Sequence, residues 1–178
     1  IRKGKIDGDK IVFTGGEATI HKDFLKGVSF AKKIGFKKIA IQTNGRMFAY
    51  KNFCIETISA GANEFCIGIH GHTQKIHDSL TNTKESYNQT LQGIINLHSL
   101  KATVFTNTVI TSLNYKTLPR ITKLLVSLNV NQFQFAFPHI LGEAWKNRRW
   151  LIPRKTPVMP YLKKGLDIGI QANIRVMT

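Results

Sequence analysis

Gly15, Gly16 and Glu17 follow directly on a short apolar run, residues 10–14 (KIVFT). Two adjacent glycines let a backbone pass close to a ligand, because neither carries a Cβ. The carboxylate beside them adds negative charge, and backbone carbonyls accept hydrogen bonds. Together they suit an ammonium group, with hydrogen bonds to a charge worth roughly 1.5–3 kcal/mol each. A phosphate loop would need more glycines and usually a lysine. Further polar residues stand where other apolar runs end: Thr43 and Asn44 in QTNG, His70 and His72 in HGH, and Asn107 within TVFTNTVI. Phe137 closes FQFAF, before PHILGEA at 138–144. His70, His72 and His77 lack the i, i+4 spacing of zinc hydrolases, so a polar loop is the reading, with His77 and Asp78 bonding to its backbone. Cys54 and Cys66 form no metal-ligand spacing and read as buried core thiols. Neither a Ser-His-Asp or Cys-His set nor a pair of carboxylates can be assigned, so the catalytic residue is unknown.

The elements that position these residues follow from apolar periodicity. Strand-like runs occupy 10–14, 38–43, 65–69, 103–110 and 133–137. Helical spacing recurs between them: Phe24, Val28, Ala31 and Ile34; residues 53–60; Tyr87, Leu91, Ile94 and His98; Ile121, Leu124, Leu125 and Leu128. Residues 72–84 read as a long polar loop. Pro153, Pro157 and Pro160 break up the C-terminal part, where 161–166 reads as a helix and 168–176 as a last strand. Strands separated by helices rather than tight turns must be parallel. Ligands of such folds bind at the C-terminal strand ends, where the unusual residues fall. Periodicity alone leaves open a barrel or an open sheet.

The length of 178 residues fits one domain able to bury about 70% of its unfolded surface. We read 1–178 as a single domain, with 146–178 as a C-terminal extension or its last βα unit. No apolar run approaches the ~20 residues of a membrane span, and the first ten residues lack the apolar stretch of a signal peptide. A cytoplasmic location without membrane contact is therefore expected. The net charge of +16 raises nucleic acid as a partner. The basic residues are scattered, which favours a solvated Lys-rich surface instead.

In this order, IVFTGGEAT, IAIQTNG, IGIHGH followed by IHDSLTNTKESYNQTLQGIINL, TNTVIT and FQFAFPHILGEA resemble the core of the radical S-adenosylmethionine (SAM) superfamily, in its molybdopterin-biosynthesis and SPASM-like subgroup. The resemblance covers residues 10–145. It implies a partial parallel (β/α)6 TIM-like barrel, here truncated at the first strand. It implies that SAM lies along the strand ends, its amino group held by Gly15, Gly16 and Glu17. Thr43 and Asn44 would line the next strand end. His70 would lie near the ribose, Asn107 near the ribose or carboxylate, and Phe137 near the adenine.

The family's Pro after Glu is Ala18 here, which loses some rigidity but no binding atom. The Cys-x-x-x-Cys-x-x-Cys motif for a [4Fe-4S] cluster is not in the chain, and its ligands are expected upstream of Ile1. The expectation is a fragment of a radical SAM enzyme, inactive alone. Intact, it would generate a 5′-deoxyadenosyl radical to abstract hydrogen from a small-molecule or peptide substrate, fed by a flavodoxin- or ferredoxin-type electron donor. The alternatives are a non-catalytic SAM-binding or interaction module that has lost its cluster, and an unrelated parallel α/β enzyme or basic nucleic-acid-binding domain.

Overall fold

Strands and helices alternate because β-branched runs and amphipathic segments alternate along the chain. The computed structural model describes residues 8–139 and 141–178; the first seven residues and Ile140 of PHILGEA lie outside the described residues. The strands are β1 (Lys10–Phe13), β2 (Lys38–Thr43), β3 (Glu64–Gly68), β4 (Thr103–Val109), β5 (Gln132–Ala136) and β6 (Arg175–Met177). The helices are α1 (Phe24–Lys33), α2 (Lys51–Ala60), α3 (Gln74–Thr81), α4 (Ser86–Ser99), α5 (Leu118–Ser127), α6 (Glu143–Lys146), α7 (Arg148–Leu151) and α8 (Lys155–Gln171). Short 3₁₀ turns follow β1 (Ala18–Ile20) and β2 (Arg46–Ala49). Strand order in the sheet follows chain order, β1 to β6. The β1–β2, β2–β3 and β5–β6 pairs are parallel, with Val12 opposite Ala40, Ile41 opposite Phe65 and Phe133 opposite Val176.

The chain divides into two compact units, Ile1–Gly68 with Gln89–Phe105, and Ile69–Asn88 with Thr106–Thr178. In the first, Ile39, Ile41, Phe65 and Ile67 are buried together with Val28 of α1 and Ile94 and Leu97 of α4. Phe48 ties the aromatic residues together, with ring centroids 5.1 Å from Phe65 and 5.4 Å from Phe53. In the second unit, Phe133 and Phe135 of β5 are buried, as are Leu118, Ile121 and Leu125 of α5 and Val158 and Leu162 of α8. Burial alternates strictly along β3, β4 and β5. One face is dry, and the other, carrying Cys66, Asn107 and Gln134, is half-buried.

Three expectations are corrected. Residues 72–84 hold helix α3, which ends at Asn82 in the left-handed conformation. Its buried residue is His77, so the usual apolar stripe is missing. The C-terminal helix spans Lys155–Gln171, so the last strand is only Arg175–Met177. Pro157 lies in the first turn, where an N–H has no helical partner anyway. Only Pro160 falls inside the helix. Finally, Cys54 is buried but Cys66 only half-buried.

Candidate functional site

In the first unit the Gly-Gly-Glu loop is built around Glu17. Its Oε1 accepts from Thr19 N (3.2 Å), Thr19 Oγ1 (2.7 Å) and Thr43 Oγ1 (2.7 Å). Its Oε2 accepts from Asn44 N (2.7 Å). One carboxylate thereby caps the 3₁₀ turn after β1 and fastens it to the end of β2. Thr43 Oγ1 in turn accepts from Gly45 N at 3.0 Å, and Asn44 Oδ1 from Arg46 N at 2.9 Å. Thr90 of α4 donates to Asn44 O at 2.9 Å. Gly15, Gly16, Glu17, Thr43 and Asn44 are therefore brought together at adjacent strand ends.

Gly15 has φ +140°, a conformation that side chains disfavour. Gly16 lies outside that region, and a Cβ on either glycine meets no atom within 4 Å. The chain's own packing thus gives no steric reason for glycine at 16, and the backbone there is open to close approach. Beside it lies a cavity of about 380 Å³ bordered by Phe13, Gly15, Gly16, Glu17, His21 and Phe24. A second, of about 250 Å³, shares Glu17 and Asn44 and adds Arg46 and Gln89. Sequence reading missed these last two, because 43 residues separate them and no local pattern links them.

The second unit holds the remaining expected residues. The Nδ1 of His70 accepts from Val109 N at 3.3 Å, and His70 N donates to Nδ1 of His77 at 3.1 Å. The two rings stack with centroids 5.8 Å apart. Both imidazoles therefore carry their proton on Nε2 when neutral. Burial, then the neighbouring His77 charge, pushes the His70 pKa down to about 4. Burial also lowers that of His77, against the opposing pull of Asp78. Asp78 accepts from Glu85 N, Tyr87 N and Ser86 Oγ, and so caps α4.

Buried Asn114 was not foreseen. It donates to His70 O (2.9 Å) and Val109 O (2.8 Å) and accepts from Thr111 N (2.7 Å). Asn107 stands on β4, its backbone O accepting from Ile69 N at 3.0 Å. Its Oδ1 is buried with no hydrogen-bond partner among the described residues. Phe137 follows β5 with Lys155 Nζ 5.5 Å from its ring centroid.

A pH titration followed by NMR tests the His70 assignment. The unfolded imidazole takes up its proton near pH 6.5 and the folded one near 4. Unfolding in that window therefore consumes a proton. This contribution to stability is complete above about pH 6.5 and is lost as pH falls toward 4. The His70 ring signals are expected to stay flat from pH 8 to 5; a midpoint near 6.5 would refute the buried neutral form.

No group of three His, Cys, Asp or Glu side chains suited to a metal ion occurs among the described residues. Cys54 donates to Phe48 O at 3.1 Å, and burial pushes its thiol up to about 11. Burial raises the Cys66 thiol too. A [4Fe-4S] cluster needs a set of thiolates, so the described residues do not fit one. The open backbone at Gly15 and Gly16 and the carboxylate of Glu17 in the first unit suit an ammonium group such as the one SAM carries. No helix among the described residues is long and apolar enough to cross a membrane.

These features define a parallel α/β protein whose first unit gathers polar residues at adjacent strand ends around a Gly-Gly-Glu loop. The Radical SAM superfamily matches residues 1–125, and the chain belongs to that superfamily. A probable GTP 3′,8-cyclase of Methanopyrus kandleri is 28% identical over 130 residues, 72% of this chain and 41% of that protein. One of Saccharolobus islandicus is 23% identical over 137 residues, 76% of this chain and 44% of that protein. The chain thus spans less than half the length of these curated relatives. A domain of pyruvate-formate lyase-activating enzyme from Bacteroides vulgatus superposes with a TM-score of 0.74 at 12% identity, covering 96% of this chain and 99% of that one. Streptococcus suis SuiB bound to S-adenosylmethionine gives 0.74 at 14% identity, covering 95% and 39%. At these identities the likeness shows the fold.

Proposed function

We propose that this chain is the SAM-binding part of a cytoplasmic radical SAM enzyme that acts on a small-molecule or peptide substrate, with an external one-electron donor as partner. The observation that carries the reading is the Glu17 clamp beside the open Gly15–Gly16 backbone. The clamp spends the carboxylate on the chain itself, so the glycine carbonyls are left to accept from an ammonium. Glu17 then acts on the ammonium mainly through its charge. In the second unit, taken by itself, Asn107 Oδ1 is an open acceptor for a hydroxyl and His70 keeps a neutral imidazole with Nε2–H at physiological pH. When bound, SAM supplies a reductively cleavable sulfonium.

Calorimetric titration of the chain with SAM tests the reading, with Gly16→Ala as its control. A Cβ at Gly16 meets nothing within 4 Å. The variant is therefore expected to unfold at the parental temperature while binding SAM at least about tenfold more weakly, the loss of one hydrogen bond to a charge. Equal affinity in parent and variant would remove the glycines from the site. For the intact protein, 5′-deoxyadenosine formed from SAM under anaerobic reduction is the expected product.

A further inference from the structure

We propose that residues 141–155, in the second unit, form a binding surface for single-stranded nucleic acid. The proposal goes beyond the SAM-binding reading, and its test uses no SAM.

The chain's two tryptophans, Trp145 and Trp150, both fall in this stretch. Tryptophan is mostly buried in folded proteins, yet these two are 55% and 57% exposed. Neither ring is loose. Arg148 stacks on Trp145 with its guanidinium carbon 3.9 Å from the ring centroid, and its Nη1 donates to Trp145 O at 2.8 Å. Trp150 Nε1 donates to Asn147 Oδ1 at 3.1 Å, so its one polar atom is spent on the chain. The stretch is itself anchored, since Ser112 N, just beyond β4, donates to Leu151 O at 2.8 Å. Helix α7 therefore stands at the C-terminal end of β4, the end at which parallel α/β folds bind ligands. Two flat apolar rings are thus held open to solvent, ordered before any partner arrives.

The charges around the rings select the partner. Lys146, Arg148, Arg149, Arg154 and Lys155 share the stretch with a single acid, Glu143. Glu143 pairs with Lys146 at 2.5 Å, and none of the other four makes an ion pair among the described residues. Arg149 and Arg154 are exposed, and a guanidinium binds phosphate in bidentate fashion. Unpaired bases stack on aromatic rings and on guanidinium planes, whereas a duplex keeps its base faces covered. An acidic protein would engage the cations without needing fixed, flat rings. A lipid surface would take the indole N–H at its headgroups, and that of Trp150 is given to Asn147 instead.

The rings report on themselves, because the chain has no other tryptophan. Titrating the full chain with short oligo(U) and oligo(dT) is expected to quench its tryptophan fluorescence. Trp150→Ala, read through Trp145, should bind about 5- to 150-fold more weakly, the loss of one stacked base. Replacing both exposed arginines, Arg149→Gln with Arg154→Gln, should flatten the slope of log K against log salt by about 1.4. Tighter binding of oligo(U) assigns RNA as the partner and tighter binding of oligo(dT) assigns DNA; either sustains the surface. The net charge of +16 attracts any polyanion, so polyglutamate and a duplex serve as controls. The proposal is overturned if neither strand quenches, or if either control binds as tightly as the strands. It is equally overturned if Trp150→Ala binds like the parent, or if phosphatidylserine vesicles shift the emission while the strands leave it unchanged.

Discussion

Replacing Glu17 with alanine is expected to destabilise the protein by about 3 kcal/mol and to abolish SAM binding. The stability estimate comes from what is left behind. Thr43 Oγ1, Asn44 N and both donors of Thr19 lose their acceptor together. Each hydrogen bond to a charged group contributes about 1.5–3 kcal/mol, with partial recovery from water at this half-buried position. A loss of that size lowers Tm by roughly 6–12 °C in a protein this large. Glu17→Gln is the sharper test, because it preserves shape. A carboxylate accepts at both oxygens, whereas an amide accepts at one end and donates at the other. With its oxygen toward Thr19 and Thr43, the amide NH₂ faces Asn44 N–H. Turned over, it faces Thr19 N–H. Either way a donor meets a donor, so Glu17→Gln should lose about half of the stability lost in Glu17→Ala. Thermal unfolding followed by circular dichroism reads both numbers. A glutamine variant as stable as the parent would show that the four bonds do not hold the loop.

This clamp also marks where sequence reading stops. Gly-Gly-Glu and Thr-Asn-Gly are legible because turn chemistry is local: a glycine at positive φ announces itself, and polar residues at strand ends stand out against apolar runs. The negative charge of Glu17 was equally legible. Its partners Thr43 and Asn44 were not, since they sit 26 and 27 residues downstream and nothing in the spacing selects them. Arg46 and Gln89 escaped for the same reason. Helix α3 escaped for another. Periodicity finds helices by their apolar stripe, and α3 buries a histidine that bonds to a neighbouring backbone. In α8 the prolines misled, because a proline in a first turn is compatible with a helix while one read in isolation is a breaker. The order of strands and the parallel class survived these local errors. They depend only on each pair of strands being separated by a helix, which any of the readings would supply.

The second large effect is expected from Gly93→Ala, where two principles predict opposite signs. Gly93 lies inside α4, and by helix propensity alanine should stabilise by about 1 kcal/mol. Packing says otherwise. A Cβ at Gly93 would sit 2.4 Å from the carbonyl oxygen of Gly45 and 3.2 Å from Cβ of Phe48. The nearer neighbour is backbone, so it has no rotamer to change. The helix cannot retreat easily, because Ile94 and Leu97 on it are fully buried. The turn cannot retreat either: Gly45 already presses toward Ile67, where its own Cβ would come within 2.7 Å. Overpacking a site closed on both sides costs roughly 1–3 kcal/mol or more. The net expectation is a loss of about 2 kcal/mol, seen as a Tm lower by roughly 4–8 °C. The displaced turn carries Asn44 and Arg46, so SAM affinity should fall with it, although Gly93 touches neither candidate ligand group. A Tm that rises instead would mean that α4 does not set the position of the Thr-Asn-Gly turn. The glycine at 93 would then have no packing reason to be there. If Tm falls while affinity holds, the turn absorbs the strain without moving Asn44, and the clamp from Glu17 is the stronger of the two restraints on that residue.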